Sequence, residues 1–111
     1  WKAMPHHQRS IYTQWKWRTA ESMVFGRPTN QAEIYKQLQK RQIIFVEELL
    51  DFVIDDLLKE NKDAFKLDSK GYTILNKRYF AEKMGLEESA FKHRLTRIQK
   101  VVEDNFYKKK I

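Results

Sequence analysis

The sequence contains no cysteine, and its longest apolar run covers only the four positions 43–46. The lack of cysteine excludes disulfides, zinc fingers and thiol catalysis, and it fits a reducing compartment. Four apolar residues are far fewer than the roughly 20 that a transmembrane helix needs, and the first residues show no signal-peptide pattern. We therefore predict a cytoplasmic protein that does not span a membrane.

Glycine is scarce, with three residues, and the 15 acidic residues are outnumbered by 22 basic ones. Three glycines leave no glycine-rich loop of the kind that cradles phosphates, and no Ser/His/Asp set or paired-carboxylate site stands out. We predict a protein that is not an enzyme and holds no cofactor. The net charge of +7 favours a polyanionic partner, either nucleic acid or an acidic membrane surface.

Two groups of potential metal ligands have simpler interpretations. Glu47, Asp51 and Asp55 share one helix face, but a metal site needs ligands that converge from more than one element. We interpret this face as solvated or partner-facing, and the His6-His7 pair as part of a polar terminus. We therefore predict no metal site.

The first 61 residues predict a mainly helical half. The β-branched and aromatic run 11–15 favours a short strand, and residues 17–23 favour a short helix that ends before Pro28. Thr29 or Asn30 begins a helical pattern that continues to Asn61, with a bend near Gln42. Within it, residues 43–58 are apolar on most sides, which is typical of a central buried helix.

Residues 62–111 predict a hairpin followed by two helices. The segment 65–75 places apolar arms around a polar turn that contains Gly71. Asn76 is a suitable cap for a helix over 77–84, Gly85 ends that helix, and Glu87 or Glu88 begins a last helix to about Tyr107. We predict a mainly α fold with short β elements (α+β), in which the halves 1–61 and 62–111 form one compact unit.

Residues 76–99 resemble a helix-turn-helix. Ala81 is small enough for a second helix to cross closely, and Gly85 can adopt the positive φ of a tight turn. Apolar residues then recur at helical spacing along the second helix and form its inner face: Phe91, Leu95, Ile98 and Val102. This pattern predicts a helix-turn-helix or winged-helix-like reader of DNA.

The opposite face of the second helix is polar and basic. It consists of Ser89, Lys92, His93, Thr96, Arg97 and Lys100, which suits a DNA major groove. The run 91–97 also resembles the last helix of sigma-factor-like and response-regulator-like DNA readers. Arg94 stands where the helix-turn-helix pattern has an apolar residue, and Leu95 can replace it after a small rotation. Asn76 and Lys77 begin the first helix and can hold a phosphate.

A possible internal repeat suggests a second reader. Tyr12-Thr13 precedes the run AESM at 20–23, as Tyr72-Thr73 precedes AEKM at 81–84. In this first copy, residues 17–23 form the support helix and 30–41 the recognition helix. The candidate DNA-binding residues of that helix are Gln31, Lys36, Gln37, Lys40 and Arg41. The alternative is two unrelated helix pairs of similar composition.

A duplicated reader of this kind is similar to the small transfer regulator TraN of Gram-positive conjugative plasmids, over residues 11–107. The resemblance implies an internal-dimer fold with a reader at each end. It also implies a cytosolic protein that binds double-stranded DNA in a plasmid transfer region. A chain with two readers acts as a monomer, whereas a chain with one reader needs a homodimer.

Together these features predict sequence-specific binding to double-stranded DNA, and not to a membrane. The protein would act as a transcriptional repressor or an accessory regulator of plasmid or mobile-element transfer. The alternative is a protein-interaction module that binds polymerase or a relaxase through the acidic apolar helix 43–58.

Overall fold

The computed structural model describes residues 11–27 and 31–107, so His6, His7, Thr29 and Asn30 lie outside the described residues. The fold is mainly helical with one small sheet, which confirms the coarse α+β prediction. The helices are α1 (Ile11–Phe25), α2 (Gln31–Tyr35), α3 (Lys40–Leu58), α4 (Lys77–Lys83) and α5 (Glu88–Val102). The strands are β1 (Phe65–Leu67) and β2 (Thr73–Leu75).

Helix α3 is the centre of the structure, as its apolar pattern predicted. It contacts both α1 and α4. Its buried apolar side chains are Phe45, Val46, Leu49, Leu50, Val53, Ile54 and Leu57. They belong to one hydrophobic cluster that also includes buried residues of α1, α4 and α5. Both halves of the chain therefore contribute to the same core.

The helical pattern predicted to continue to Asn61 with a bend near Gln42 is instead divided into two helices, and the break lies a few residues before the predicted bend. Helix α2 ends at Tyr35, and α3 begins at Lys40 after a short turn. The backbone of Gln39 is extended (φ −73°, ψ 156°), and its N–H donates to Oε1 of Gln42 at 2.9 Å. Leu38 is buried in the core. The break is therefore stabilised by a cap and by burial, without glycine or proline, which are the strongest local signals of a break in a sequence.

The predicted strand over 11–15 is also wrong, because α1 begins at Ile11 and continues through the predicted helix 17–23. Ala20 and Val24, which are one turn apart, are both fully buried. An isolated strand leaves backbone groups without partners, whereas a helix satisfies them within the segment. Gly26, with φ +82°, follows the last residue of α1.

The hairpin prediction is confirmed. Strands β1 and β2 are antiparallel, and Phe65 pairs with Leu75. In the connecting turn, Oδ1 of Asp68 accepts hydrogen bonds from the backbone N–H groups of Lys70 and Tyr72, both at 2.9 Å. Gly71 has φ +87°, a conformation that costs glycine little.

Helix α5 also contacts α1, the first helix of the chain that the structure describes. The side-chain amide of Gln99 donates to the Val24 carbonyl at 3.2 Å, close to the end of α1. Beyond Val102 the chain continues in a π-helical turn over Glu103–Tyr107, which agrees with the predicted end of the last helix near Tyr107. Among the described helices, none has both the length and the apolar character needed to cross a bilayer.

Candidate nucleic-acid interface

Helices α4 and α5 are joined by a tight turn over residues 84–87. Asn76 caps α4 as predicted, since its Oδ1 accepts a hydrogen bond from the Tyr79 N–H at 3.4 Å. Gly85 has φ +70°, and the N–H of Leu86 then donates back to the Ala81 carbonyl at 2.9 Å. These interactions fix the angle at which the chain leaves α4 and enters α5.

The inner face of α5 is packed as predicted. Phe91, Leu95, Ile98 and Val102 are each at most 1% exposed. The rings of Phe91 and Phe45 lie 5.7 Å apart between centroids, so α5 is anchored to α3 as well as to α4. The rotational position of α5 about its own axis is therefore set by the core.

The predicted outer face of α5 is exposed to solvent. All six of its predicted residues are exposed: Ser89, Lys92, His93, Thr96, Arg97 and Lys100. Lys92 pairs with Glu88 one turn earlier, at 2.8 Å between Nζ and Oε2. The Lys92 ammonium, followed by Arg78 and Lys66, lowers the pKa of the Glu88 carboxyl below its ordinary value. Arg97 and Lys100 have no carboxylate partner among the described residues.

Arg94 departs from the helix-turn-helix pattern in the way expected. Leu95 occupies the inward position, and Arg94 remains exposed at the edge of the helix that faces α3. Its guanidinium lies 5.9 Å from the centroid of the Phe45 ring. Leu95 therefore supplies the buried apolar side chain here, and Arg94 leaves a charge at the border of the outer face.

A groove of about 350 Å³ lies between the beginning of α3 and this edge of α5. It is lined by Gln39, Arg41, Gln42, Phe45, Ala90, His93, Arg94, Arg97 and Ile98. The lining contains three arginines and no carboxylate. Sequence reasoning had placed Arg41 in a different reader from His93 and Arg97, and it had not proposed Arg94 as a site residue.

The predicted recognition helix of the first copy, residues 30–41, is not a single helix in the structure, because of the break that Gln39 caps. Gln31 lies in α2, Lys36 and Gln37 lie in the turn, and Lys40 and Arg41 begin α3. The amide of Gln31 donates to the Tyr35 hydroxyl at 2.6 Å, and Lys36 pairs with Glu33 at 3.2 Å. Of these five predicted residues, Arg41 lines the groove beside α5.

Asn76 and Lys77 were predicted to hold a phosphate at the start of α4. The Asn76 amide instead donates to the Asp63 carbonyl at 2.9 Å, while its oxygen caps α4. Lys77 is partly buried. Both polar atoms of Asn76 are therefore engaged in holding α4 next to the segment that precedes the hairpin.

Sequence reasoning missed a buried carboxylate, Asp56, which joins α3 to α4. Its side chain is 2% exposed. It accepts hydrogen bonds from the Asn61 amide and the Tyr79 hydroxyl, both at 3.1 Å, and from Lys83 Nζ at 3.4 Å. The Tyr79 hydroxyl and the Asp56 carboxylate raise the pKa of the Lys83 ammonium above its ordinary value. The signal in the sequence is weak, since only an acid inside an apolar run hints at such a network.

The predicted acidic face of α3, formed by Glu47, Asp51 and Asp55, interacts with neighbouring side chains of the protein itself. Asp55 pairs with Lys59 at 2.8 Å. Burial, followed by the neighbouring carboxylates Glu47, Glu21 and Asp51, raises the pKa of Tyr35 to about 12, although the hydrogen bond from Gln31 acts to lower it. Within residues 11–27 and 31–107, no cluster of three or more potential ligands is arranged for a metal.

No family model matches the chain. No curated protein and no solved structure gives a significant match either. The chemistry of the site is therefore inferred from its geometry.

The outer face of α5 and the adjoining groove have a chemistry suited to anions. Guanidinium groups present planar N–H donors that fit phosphate oxygens and the acceptor edge of guanine. A helix with its side chains is about 10–12 Å across, which matches a major groove about 12 Å wide. These donors and this width are compatible with the phosphates and base edges of a duplex.

Proposed function

We propose that this protein is a sequence-specific double-stranded-DNA-binding regulator in which α5 is the recognition helix. One observation carries the proposal. The side of α5 that packs against α1, α3 and α4 is buried, while its opposite side is exposed and combines cations with hydrogen-bonding side chains such as Ser89 and Thr96. Ammonium and guanidinium groups suit phosphates, and mixed donors and acceptors suit base edges.

We further propose one reader per chain. Helix α5 follows a tight turn after α4, whereas the proposed first copy is divided between α2, a turn and α3. A protein with one reader commonly dimerises so that two recognition helices reach half-sites about one helical turn apart. The proposed role remains that of a cytoplasmic repressor or accessory regulator of plasmid or mobile-element transfer.

The structure offers less support for protein interaction through residues 43–58. Most apolar side chains of that helix belong to the core, and Ile44 is the large apolar residue of α3 that is exposed, at 51%. Its surface neighbours include Glu47 and Glu48, which are also exposed. A single exposed isoleucine is a small anchor for a stable interface.

The first test is selection of duplexes from a randomised library, followed by affinity measurement on the selected and a scrambled duplex at fixed salt. We expect the selected duplex to bind at least about 1,000-fold more tightly, which is the lower end for specific DNA binding. Arg97→Ala should weaken the selected complex by about 10-fold or more, since a base or phosphate contact is lost. The matched control is Arg18→Ala, an exposed arginine on α1.

Equal affinity for the two duplexes would refute sequence-specific binding. Equal affinity of the Arg97→Ala and Arg18→Ala variants would instead refute α5 as the recognition helix. Thermal unfolding of each variant serves as the folding control. Because both side chains are exposed, we expect each melting temperature to remain close to that of the unmodified protein.

A further inference from the structure

The groove beside α5 concentrates positive charge from two helices that are far apart in sequence. Arg41 comes from the first turn of α3, and Arg94 and Arg97 come from the middle of α5. We call this site, defined by these three residues, the arginine groove. Its wall also contains His93 and the apolar side chains of Phe45 and Ile98. A concave site lined by one sign of charge focuses the electrostatic potential more than a flat surface does.

The three arginines have no carboxylate partner among the residues that the structure describes. Glu48 lies in an adjoining groove of about 220 Å³ that Arg41 and Arg94 also line, yet no ion pair joins it to either arginine. Elsewhere, Lys36, Lys59 and Lys92 each pair with an acid on the same helix or turn. The arginine groove is thus a cationic site in which no carboxylate of the described residues forms an ion pair with an arginine.

The groove is also built on well-positioned elements. The Phe45 ring lies 5.9 Å from the Arg94 guanidinium and is packed in turn against Phe91, so it supports one wall. The hydrogen bond from Gln39 N–H to Gln42 Oε1 fixes the beginning of α3, where Arg41 is located. The first turn of this 19-residue helix adds its own partial positive charge.

We propose that the arginine groove binds one phosphodiester of the DNA backbone, next to the base pairs that α5 reads. This inference rests on the proposed function and extends it by assigning Arg41 and Arg94. His93 and Arg97 belong both to the groove and to the outer face of α5, so the groove opens onto that face. This continuity favours a backbone phosphate over a free nucleotide. Arg41 then acts together with α5 and not in a separate reader.

The test compares Arg41→Gln/Arg94→Gln with Arg18→Gln on the selected duplex over a range of salt concentrations. Each phosphate contact contributes about 0.9 to the slope of log affinity against log salt. We expect the double variant to reduce that slope by about 0.9 per recognition helix bound. Its affinity should fall by a similar factor on selected and scrambled duplexes, because phosphate contacts carry no sequence information. The Arg18→Gln control should change neither quantity.

A methylphosphonate scan locates the phosphate. Replacing one phosphate at a time by a neutral methylphosphonate should reveal a position that weakens binding of the unmodified protein. At that position the same replacement should weaken the Arg41→Gln/Arg94→Gln variant less than it weakens the unmodified protein, since both changes act on one interaction and Arg97 remains. Additive effects at every position would overturn the proposal.

The outcomes separate the two proposals. If the unmodified protein does not distinguish the duplexes, the proposed function fails, and the phosphodiester assignment fails with it. If it does distinguish them but the double variant behaves like Arg18→Gln, the arginine groove is wrong while DNA reading by α5 stands. Saturable binding of ADP that requires Arg41, together with an unchanged salt slope for DNA, would overturn the backbone assignment in favour of a free nucleotide.

Discussion

The buried carboxylate of Asp56 allows a stringent comparison with its neighbour in sequence. Asp56 and Asp55 are consecutive residues of α3, and each accepts a hydrogen bond from a lysine. The Asp56 side chain is 2% exposed and also accepts from Asn61 and Tyr79. The Asp55 side chain is 43% exposed and interacts with Lys59 on the solvent side. Replacing each by alanine removes the same atoms from two different environments.

The expected losses of unfolding free energy differ several-fold between the two variants. Removing one partner of a fully buried ion pair costs about 3–5 kcal/mol of unfolding free energy. The Lys83 side chain is 31% exposed, so water can solvate its ammonium after the change. We therefore expect Asp56→Ala to lose about 3 kcal/mol, mostly from hydrogen bonds to a charged group. An exposed i,i+4 pair contributes about 0.3–0.5 kcal/mol, which is the expected loss for Asp55→Ala.

Urea denaturation at neutral pH measures both losses, and thermal unfolding provides a second measure. A loss of about 3 kcal/mol corresponds to a melting temperature lower by about 12 °C in a domain of this size. Total stabilities are commonly about 5–15 kcal/mol, so the variant should remain folded at 25 °C. If Asp56→Ala is no more destabilising than Asp55→Ala, the network is not what holds α4 against α3.

Two further predictions concern the turn between α4 and α5, and Tyr35. Gly85→Ala should lower the unfolding free energy by about 1–2 kcal/mol in urea denaturation, because φ is +70° and residues other than glycine are strained in this conformation. An added Cβ meets no atom within 4 Å, so no steric clash adds to this cost. An unchanged stability would contradict this prediction. Because the pKa of Tyr35 is raised to about 12, its phenol stays protonated to a higher pH in the folded state than in the unfolded state. The unfolding free energy should therefore fall as the pH rises from about 10 towards 12. In denaturation series at pH 9 and 11, the unfolding free energy of the Tyr35→Phe variant should fall less than that of the unmodified protein. Parallel pH dependence of the two proteins would count against this assignment.

The segments that sequence reasoning predicted well carry local signals. Asn76 caps α4, Gly85 provides the positive φ of the turn, and the inner face of α5 follows a regular helical spacing. Each signal acts within a few residues of the element that it defines. The positions of α4 and α5, and the exposed face of α5, were therefore predictable without knowledge of the tertiary fold.

The segments that were predicted wrongly depend on the tertiary fold. The break between α2 and α3 depends on the burial of Leu38 and on an unusual cap by Gln39. The predicted strand is instead the first part of helix α1, whose later residues Ala20 and Val24 are buried in the core. The proximity of Arg41 to Arg94 joins positions more than 50 residues apart, and no periodicity in the sequence encodes it.

The hydrogen bond from Gln99 to the Val24 carbonyl has a consequence for the modularity of the proposed recognition helix α5. Residues 76–102 have the appearance of a portable unit, but Gln99 supports the end of α1, and Phe91 is packed on Phe45 of α3. The orientation of α5 is therefore a property of the whole core and not of the helix pair alone. A graft of this segment onto another scaffold would retain the polar face and lose the supports that aim it. A substitution at Gly26 would place its Cβ 3.4 Å from Cδ of Gln99, in direct contact with this support.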